Sequence, residues 1–343
     1  MGVTIKDVAR IAGVDPSTVS RVIADSPRIS KKTKEKVIKV MEELDFHPNA
    51  IARSLASRST KTIGVIMPLS SEKIFINPFF TEVMRGISTS SLKRGYDILF
   101  STGGSSDEEY ITTSRIVNER RIDGLILLTS RIQDKTIDDL IRRKLPFVVI
   151  GKPSKLENVN WVDNDNQEAC YNATEHLIKQ GHRNIGFIGG DFTYVFMCER
   201  FKGYKRALDH YNIRFNKEYL SLGDFLEEGG YSAMKKLLEL NSIPTAIVAA
   251  DDLMAFGAMR AIKEHGLSIP EDIAIVGFND TPLANFTDPT LSSVEIFVHE
   301  LGYNASEILI NHLEHPSEQK NHIIIQTNLK VRKSSSYDLC KQL

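Results

Sequence analysis

Apolar residues recur at helical spacing in three short stretches at the start of the chain. Ile5, Val8, Ala9 and Ala12 fall on one helical face, with Thr4 placed to cap it. Gly13 and Val14 make a tight turn. Asp15 stands where a second helix needs its cap, and Pro16 takes the first helical position, where a missing N–H costs nothing. Val19 and Val22 face inward. Ser30 caps a third helix running to about Leu44, with Val37, Ile38, Met41 and Leu44 as its apolar face. Pro48, Asn49 and a short run from Ala50 to Ser57 follow.

Beyond residue 61 the pattern changes to continuous apolar runs alternating with amphipathic stretches. Ile63–Met67, Asp97–Phe100, Gly124–Leu128 and Phe147–Ile150 read as strands. The series then restarts with Asn160–Val162, Ile185–Ile188, Tyr219–Leu222, Ala246–Ala249 and Ile273–Val276. Apolar strands separated by helices of ten or more residues imply parallel sheets covered on both faces. Two such series predict two similar α/β lobes. In such folds ligands bind at the carboxyl ends of the strands, and a cleft between lobes is a favoured site.

The chain has 343 residues, room for two or three domains. Its net charge of −1 hides an asymmetry: residues 1–60 hold 11 lysines and arginines against 7 acids, and the remainder holds 32 against 37. A basic head on an acidic body points to a head that meets a polyanion. No stretch reaches the roughly 18 apolar residues that span a bilayer. The opening segment carries Asp7 and no apolar core, so no secretory signal is read and the expected location is the cytoplasm. Cys170, Cys198 and Cys340 are too few and too widely spaced for a disulfide framework or a zinc site. No cofactor and no metal site is expected.

A helix, a tight turn at Gly13 and a second capped helix match a helix-turn-helix unit. In such a unit the second helix lies in the major groove with its first residues at base edges. Those residues are Pro16, Ser17 and Thr18, with Ser20 and Arg21 one turn on. Hydroxyls can bond bases or phosphates, and a guanidinium can grip guanine or phosphate. On spacing alone the same residues are equally well read as an ordinary helix start.

The residues then carry a specific resemblance. Thr4-Ile-x-Asp-Val-Ala-x-x-Ala-Gly-Val-x-x-Ser-Thr-Val-Ser-Arg-Val, followed by Phe46-x-Pro-Asn-Ala-x-Ala-Arg-Ser-Leu-Ala, is similar to the head of the LacI/GalR family of bacterial repressors. The likeness continues through Asn77-Pro-Phe-Phe, Gly181-His, Glu199-Arg-x-x-Gly-Tyr, Asp251-Asp-Leu-Met-Ala-x-Gly-Ala-Met, Ile269-Pro-x-Asp and Val276-Gly-Phe-Asn-Asp-Thr. Within that family the chain most resembles repressors of maltose-type operons.

The resemblance implies a fold: an all-α helix-turn-helix head and hinge helix joined to a two-lobed α/β core like that of periplasmic binding proteins, with parallel sheets. The implied domains are 1–48 for the head and 49–60 for the hinge helix and linker. The first lobe takes 61–163 with about 295–325, and the second takes 164–294 with about 326–336. Operator contacts are implied for Thr4, Pro16, Ser17, Thr18, Ser20 and Arg21 in the head. Asn49, Ala52, Arg53, Leu55 and Arg58 are implied in the hinge, with Leu55 as a wedge between base pairs. A hinge of nine residues is too short to be a stable helix alone, so it would order on docking.

Effector contacts are implied for Phe79, Phe80, Arg200, Asp251, Asn279 and Asp280, and Trp161, Phe192, Tyr194 and Phe196 lie near them in the sequence. Carboxylates, a guanidinium and aromatic faces suit a neutral sugar. Two departures from sugar-binding relatives, Gly151-Lys152 after the fourth strand and Asn279 as the first residue of its polar pair, prevent copying the effector's identity. The implied partners are a pseudo-palindromic duplex operator, a small sugar and a second copy of the chain, with no membrane. Some relatives answer instead to a phosphoprotein, and a sugar-binding transport protein shares the same body.

Other chemistry finds little support. Asp163-Asn-Asp-Asn-Gln-Glu begins like a calcium loop but has Glu168 where the turn glycine belongs and Thr174 at the twelfth position. Gly186, Gly189 and Gly190 have the wrong spacing for a dinucleotide fingerprint. Walker A, nucleophile-elbow and zinc-protease motifs are missing, so an enzyme is not expected.

Overall fold

Each helix of the head begins where a short polar side chain satisfies its first backbone N–H groups. In the computed structural model, which describes residues 3–24, 26–46, 54, 59–68, 71–155 and 159–336, α1 (Ile5–Ala12) opens with Asp7 accepting the Thr4 N–H at 3.0 Å and its O–H at 2.7 Å. The helix ends at Gly13, whose φ of 61° suits a residue without a Cβ. Helix α2 (Pro16–Ile23) starts with the Ser17 N–H donating to Asp15 at 2.8 Å. Helix α3 (Lys31–Glu43) starts with the Thr33 N–H donating to Ser30 at 3.2 Å.

Val8, Ala9, Ala12, Val19, Val22, Val37 and Val40 make the head's own core, with Met41 and Leu44 packed at its edge. Ile38, expected on the inner face, is 45% exposed. Val37 and Val40, three residues apart, carry the contact, and one further step of about 100° turns Ile38 outward.

The first lobe follows as β1 (Thr62–Met67), α4 (Ser71–Ile76), α5 (Pro78–Lys93), β2 (Asp97–Thr102), α6 (Ser106–Asn118), β3 (Gly124–Leu127), α7 (Lys135–Arg143), β4 (Phe147–Ile150) and β5 (Asn160–Asn164). The chain crosses into the second lobe: α8 (Asn166–Lys179), β6 (Ile185–Gly189), α9 (Val195–His210), β7 (Leu220–Leu222), α10 (Glu227–Leu238), β8 (Ala246–Ala249), α11 (Asp252–Glu264), β9 (Ala274–Asn279) and β10 (Ser292–Glu295). It crosses back for α12 (Val298–Glu314) and β11 (His322–Ile325), then over again for β12 (Asn328–Lys330).

The first sheet has the order β11-β5-β4-β3-β1-β2 and the second β12-β10-β9-β8-β6-β7. All pairings are parallel except β10 with β12. Buried strands such as β3, β4 and β8 are apolar throughout because helices cover both faces.

Three segments therefore join the lobes, and one side chain ties them together. The Nδ2 of buried Asn164, on the first crossing, donates to the Ile296 carbonyl at 3.1 Å on the second and to the Ile325 carbonyl at 2.9 Å on the third. The second crossing turns sharply at Phe297, whose φ is 51°. The strand order reverses in each sheet at β1 and at β6, and the carboxyl ends of both sheets open toward the space between the lobes.

Candidate functional site

The head offers a short exposed helix face. On α2, Val19 and Val22 are buried against the other helices, while Pro16, Ser17 and Arg21 are exposed and Thr18 and Ser20 are half-buried. Thr4 is exposed at the start of α1. The inward and outward sets are opposite faces of one helix, so packing against the core holds the polar face outward. Asn49, Ala52, Arg53, Leu55 and Arg58, implied as hinge contacts, lie outside the described residues.

The second feature is a cavity of about 830 Å³, counted out to its open mouth, between the two lobes. Its polar wall centres on Arg200, reached from α9. The guanidinium is fixed by Nε donating to Asn166 Oδ1 at 2.9 Å and Nη1 donating to the Ala250 carbonyl at 2.5 Å. It lies over the Phe278 ring at 4.2 Å. Burial lowers its pKa, and the neighbouring carboxylate of Asp251 opposes that shift.

Asp251 caps α11, accepting the Leu253 N–H at 2.7 Å, and its other oxygen accepts from Asn279 at 2.8 Å and from Asn77 at 3.4 Å. The last of these bonds joins one lobe to the other. Asn77 also caps α5, accepting the Phe79 N–H at 3.0 Å, which presents Phe79 and Phe80 to the cavity.

The floor comes from the end of β5. Asp163 accepts from the Lys152 N–H at 2.7 Å, the Asn164 N–H at 2.7 Å and Asn166 Nδ2 at 2.9 Å. Burial pushes its carboxyl up to about 6 despite those three donors. Next to Asp251, burial raises Asp252 to about 8 while Ser293 Oγ donates to it at 2.6 Å. The Thr129 hydroxyl lines the cavity and is buried without a hydrogen-bond partner.

The apolar wall is aromatic. Tyr194 stacks on Phe196 with centroids 5.7 Å apart, and Phe225 meets them at 6.0 and 5.5 Å. Gly190 admits Phe225: a Cβ there would come within 2.4 Å of the ring. The lobes are also bridged beside this wall. Ile132 N–H donates to the Thr193 carbonyl at 2.9 Å and Val195 N–H to the Ser130 carbonyl at 3.2 Å. A Lys73–Asp224 ion pair at 3.0 Å adds a third link.

The cavity thus brings together Phe79, Phe80, Tyr194, Arg200, Asp251 and Asn279 from the sequence reading. Three others lie elsewhere. Trp161 is in the packed side of the first sheet, stacked on His322 at 5.1 Å, because its strand turns Val162 toward one face and Trp161 toward the other. Phe192 packs edge-on against Phe201 at 5.2 Å. Asp280 is tied to Arg332 at 2.7 Å and lines the neighbouring depression instead.

Sequence reading missed Asn77, Thr129, Asp163, Asn166 and Phe225 as site residues, while Phe196, noted there as a nearby aromatic, does line the cavity. The polar run from Asp163, which looked like the start of a calcium loop, was the one local signal: a polar cluster directly after an apolar strand. Among the described residues no group of three or more His, Cys, Asp or Glu is arranged to hold a metal ion, and no helix is long and apolar enough to cross a membrane.

Comparison with known proteins gives the same two-part division. The family model for bacterial regulatory proteins of the lacI family matches residues 4–49, and that for a periplasmic binding protein-like domain matches residues 174–335. The HTH-type transcriptional regulator MalR of Streptococcus pneumoniae serotype 4 is 41% identical over 79% of this chain and 82% of its own length. A solved complex of the transcriptional regulator CelR with cellobiose is 31% identical, with a TM-score of 0.77 over 97% of this chain and 99% of that one. The lac repressor dimer bound to operator and the anti-inducer ONPF is 26% identical, with a TM-score of 0.83 over 98% of this chain and 99% of that one. With a capped reading helix ahead of a two-lobed body, and relatives similar over nearly the whole length, the chain belongs to the LacI family of bacterial transcriptional regulators.

Proposed function

We propose that this chain represses a carbohydrate-utilisation operon in the cytoplasm and is controlled by a small neutral sugar of the maltose class held between its lobes. Two copies would place two α2 helices on a pseudo-palindromic operator, since one helix reads too few base pairs. Pro16, Ser17, Thr18, Ser20 and Arg21, with Thr4, are the head's contacts; Asn49, Ala52, Arg53, Leu55 and Arg58 are those of the hinge. The sugar contacts are Arg200, Asp251, Asn279, Asn77, Asp163 and Asn166 on the polar side, and Phe79, Phe80, Tyr194, Phe196 and Phe225 on the apolar side.

The observation that carries the reading is the cavity's chemistry. Arg200 is the only cation lining it among the described residues; two of its three nitrogens are committed to protein oxygens, and two carboxyl groups stand close by. A phosphate would meet that arrangement poorly. Hydroxyl groups suit it, because they can both donate to carboxylates and accept from amides. Three clustered rings supply the face on which the apolar side of a pyranose rests. The 41% identity to a regulator named MalR supports the maltose class.

Sugar binding would change lobe closure and so the ordering of the hinge, with a coupling on the order of 1–3 kcal/mol. The test is a gel shift on the promoter beside the gene, with and without maltose, maltotriose, cellobiose and glucose 6-phosphate. A neutral glucoside that releases the DNA supports the reading. Release by glucose 6-phosphate alone, or by none of them, overturns it. Leu55→Ala in the same assay should weaken operator binding about tenfold or more while leaving sugar affinity intact.

A further inference from the structure

The place where the chain leaves the body toward the head is held by one carboxylate. Asp123 stands at the end of the loop leading into β3. Its Oδ1 accepts from the Thr60 N–H at 2.7 Å and from the Thr60 hydroxyl at 2.8 Å. Its Oδ2 accepts from the Ser59 hydroxyl at 2.5 Å and the Lys61 N–H at 2.9 Å. Four donors from three consecutive residues converge on one side chain more than sixty positions away. The backbone on both sides is paired as well: the Asp123 N–H donates to the Thr62 carbonyl at 2.8 Å, and the Asp97 N–H donates to the Lys61 carbonyl at 2.8 Å.

Lys61 itself sits at φ 50°, a left-handed conformation that a residue with a Cβ keeps only when its surroundings over-determine it. Here they do. Its N–H is taken by Asp123, and its Nζ meets Glu314 at 3.2 Å and covers the Tyr96 ring at 4.2 Å from the centroid. Glu314 is the last residue of α12, and Arg94 holds it from the other side at 2.5 Å. The same helix begins at the second lobe crossing, where Ile296 and Leu301 line the cavity. Its 17 residues span roughly 25 Å at 1.5 Å per residue. One rigid element therefore runs from the cavity wall to the residue where the linker starts.

We propose that Asp123 is the positioning residue for operator binding: it fixes Ser59, Thr60 and Lys61 on the first lobe, so that the linker leaves the body from a defined point in a defined direction. The physical reason is entropic. Fixing the backbone of one residue costs on the order of 1–2 kcal/mol. Residues ordered on the body before DNA arrives do not add that cost to operator binding, and a dimer gains twice. Without the anchor each linker is longer and looser, and the effective concentration of the second head at its half-site falls. Loose, non-specific DNA binding does not need both heads in register, so it is indifferent to the anchor. The assignment rests on the chain being a DNA-binding regulator and not on the identity of its sugar.

The test uses the full-length chain and an operator selected from random duplex DNA by the wild-type protein. Asp123→Ala and Asp123→Asn are compared with wild type for operator affinity, affinity for unrelated duplex DNA, hydrogen exchange at the Thr60 and Lys61 amides, and melting of the body. In Asp123→Ala operator affinity should drop about tenfold or more, because the residues it holds must then be ordered during binding in both subunits. Exchange at Thr60 and Lys61 should quicken, and binding to unrelated DNA and the body's melting should stay close to wild type. Asp123→Asn, which keeps one acceptor oxygen, should fall between. Wild-type operator affinity with fast exchange at those amides overturns the proposal, as does an equal loss on operator and unrelated DNA. Should Asp123→Ala fail to fold, Ser59→Ala combined with Thr60→Val removes the two hydroxyl donors from the linker side. That variant should lose operator affinity about threefold or more and leave unrelated DNA binding unchanged, and no change in either overturns the assignment.

Discussion

The head and the cleft are both polar surfaces laid over apolar cores, yet they are built in opposite ways. In the head, five of the six residues that would touch DNA lie within six positions of one another, and the caps that start each helix are two or three residues from the groups they satisfy. In the cleft, Asn77 bonds Asp251 across 174 positions, and Arg200 bonds Asn166 and the Ala250 carbonyl across 34 and 50. The head is a local motif on its own small core, which shares no residue with the body's clusters. The cleft is a meeting of strand ends that exists only once both sheets and all three crossings have formed. A sensor that must answer to two lobes needs groups from both, and no short segment can supply them.

Substitutions can break this contrast or sharpen it. The largest effect is expected at Arg200. Arg200→Ala removes a buried charge from Asp251 and Asn166, so sugar affinity measured by calorimetry should fall at least about a hundredfold. Operator binding should stay within about threefold, and if it is lost at the same time while the body still melts cooperatively, head and cleft are not separable as described.

Next comes Asp163. Its folded carboxyl stands near 6, above its ordinary 3.8, so burial favours the protonated form. The stability it contributes is fully present below 3.8 and is lost as pH rises through about 6. Wild-type stability relative to Asp163→Asn, from denaturant melts, should therefore decline between pH 4 and 6 by up to about 3 kcal/mol and be level above pH 7. A flat difference would mean that the three N–H donors hold this carboxyl in its usual range.

A smaller effect is expected from Val19→Ala, which leaves a gap in the head's core. It should cost about 1–2 kcal/mol and lower the head's melting point in calorimetry while the body's transition stays in place. A joint shift of both would show that the two cores melt as one. The smallest effect is expected at Trp161. Because its ring packs on His322 inside the first lobe, Trp161→Phe should alter sugar affinity less than twofold and cost stability instead. A tenfold loss of affinity would return Trp161 to the cleft.

Legibility followed the same division. The capping residues Thr4, Asp15 and Ser30 and the turn at Gly13 marked the head's helices because their partners are near neighbours in sequence. Nine strands were legible as apolar runs, most of them because a strand covered on both faces is apolar on both. Strand β10 was not, because Ser292 and Ser293 are buried polar residues whose partners, Ser334 and Asp252, are 42 and 41 positions away. The edge strands β11 and β12 were missed: both are short and partly exposed, and although three of the four residues of β11 are isoleucine, β12 offers a single leucine. Among the site residues, Arg200, Asp251 and Asn279 were reached only through the family resemblance. Phe225 carried no signal of its own, and Asp163 lay in a polar run that suggested a different chemistry.

By itself, then, the sequence determined the kinds of element in this protein, the order in which they occur, and the separation of a basic reading head from a two-lobed body. Those follow from local propensity, hydrophobic period and charge, which act over a few residues. Only the tertiary structure decided which polar groups share the cleft, which aromatic rings face it, that Trp161, Phe192 and Asp280 do not, and that Asp123 holds the start of the linker. These depend on strand order, on the alternation of faces within a strand and on the three crossings pinned by Asn164, all of which are set by chain closure over tens to hundreds of residues.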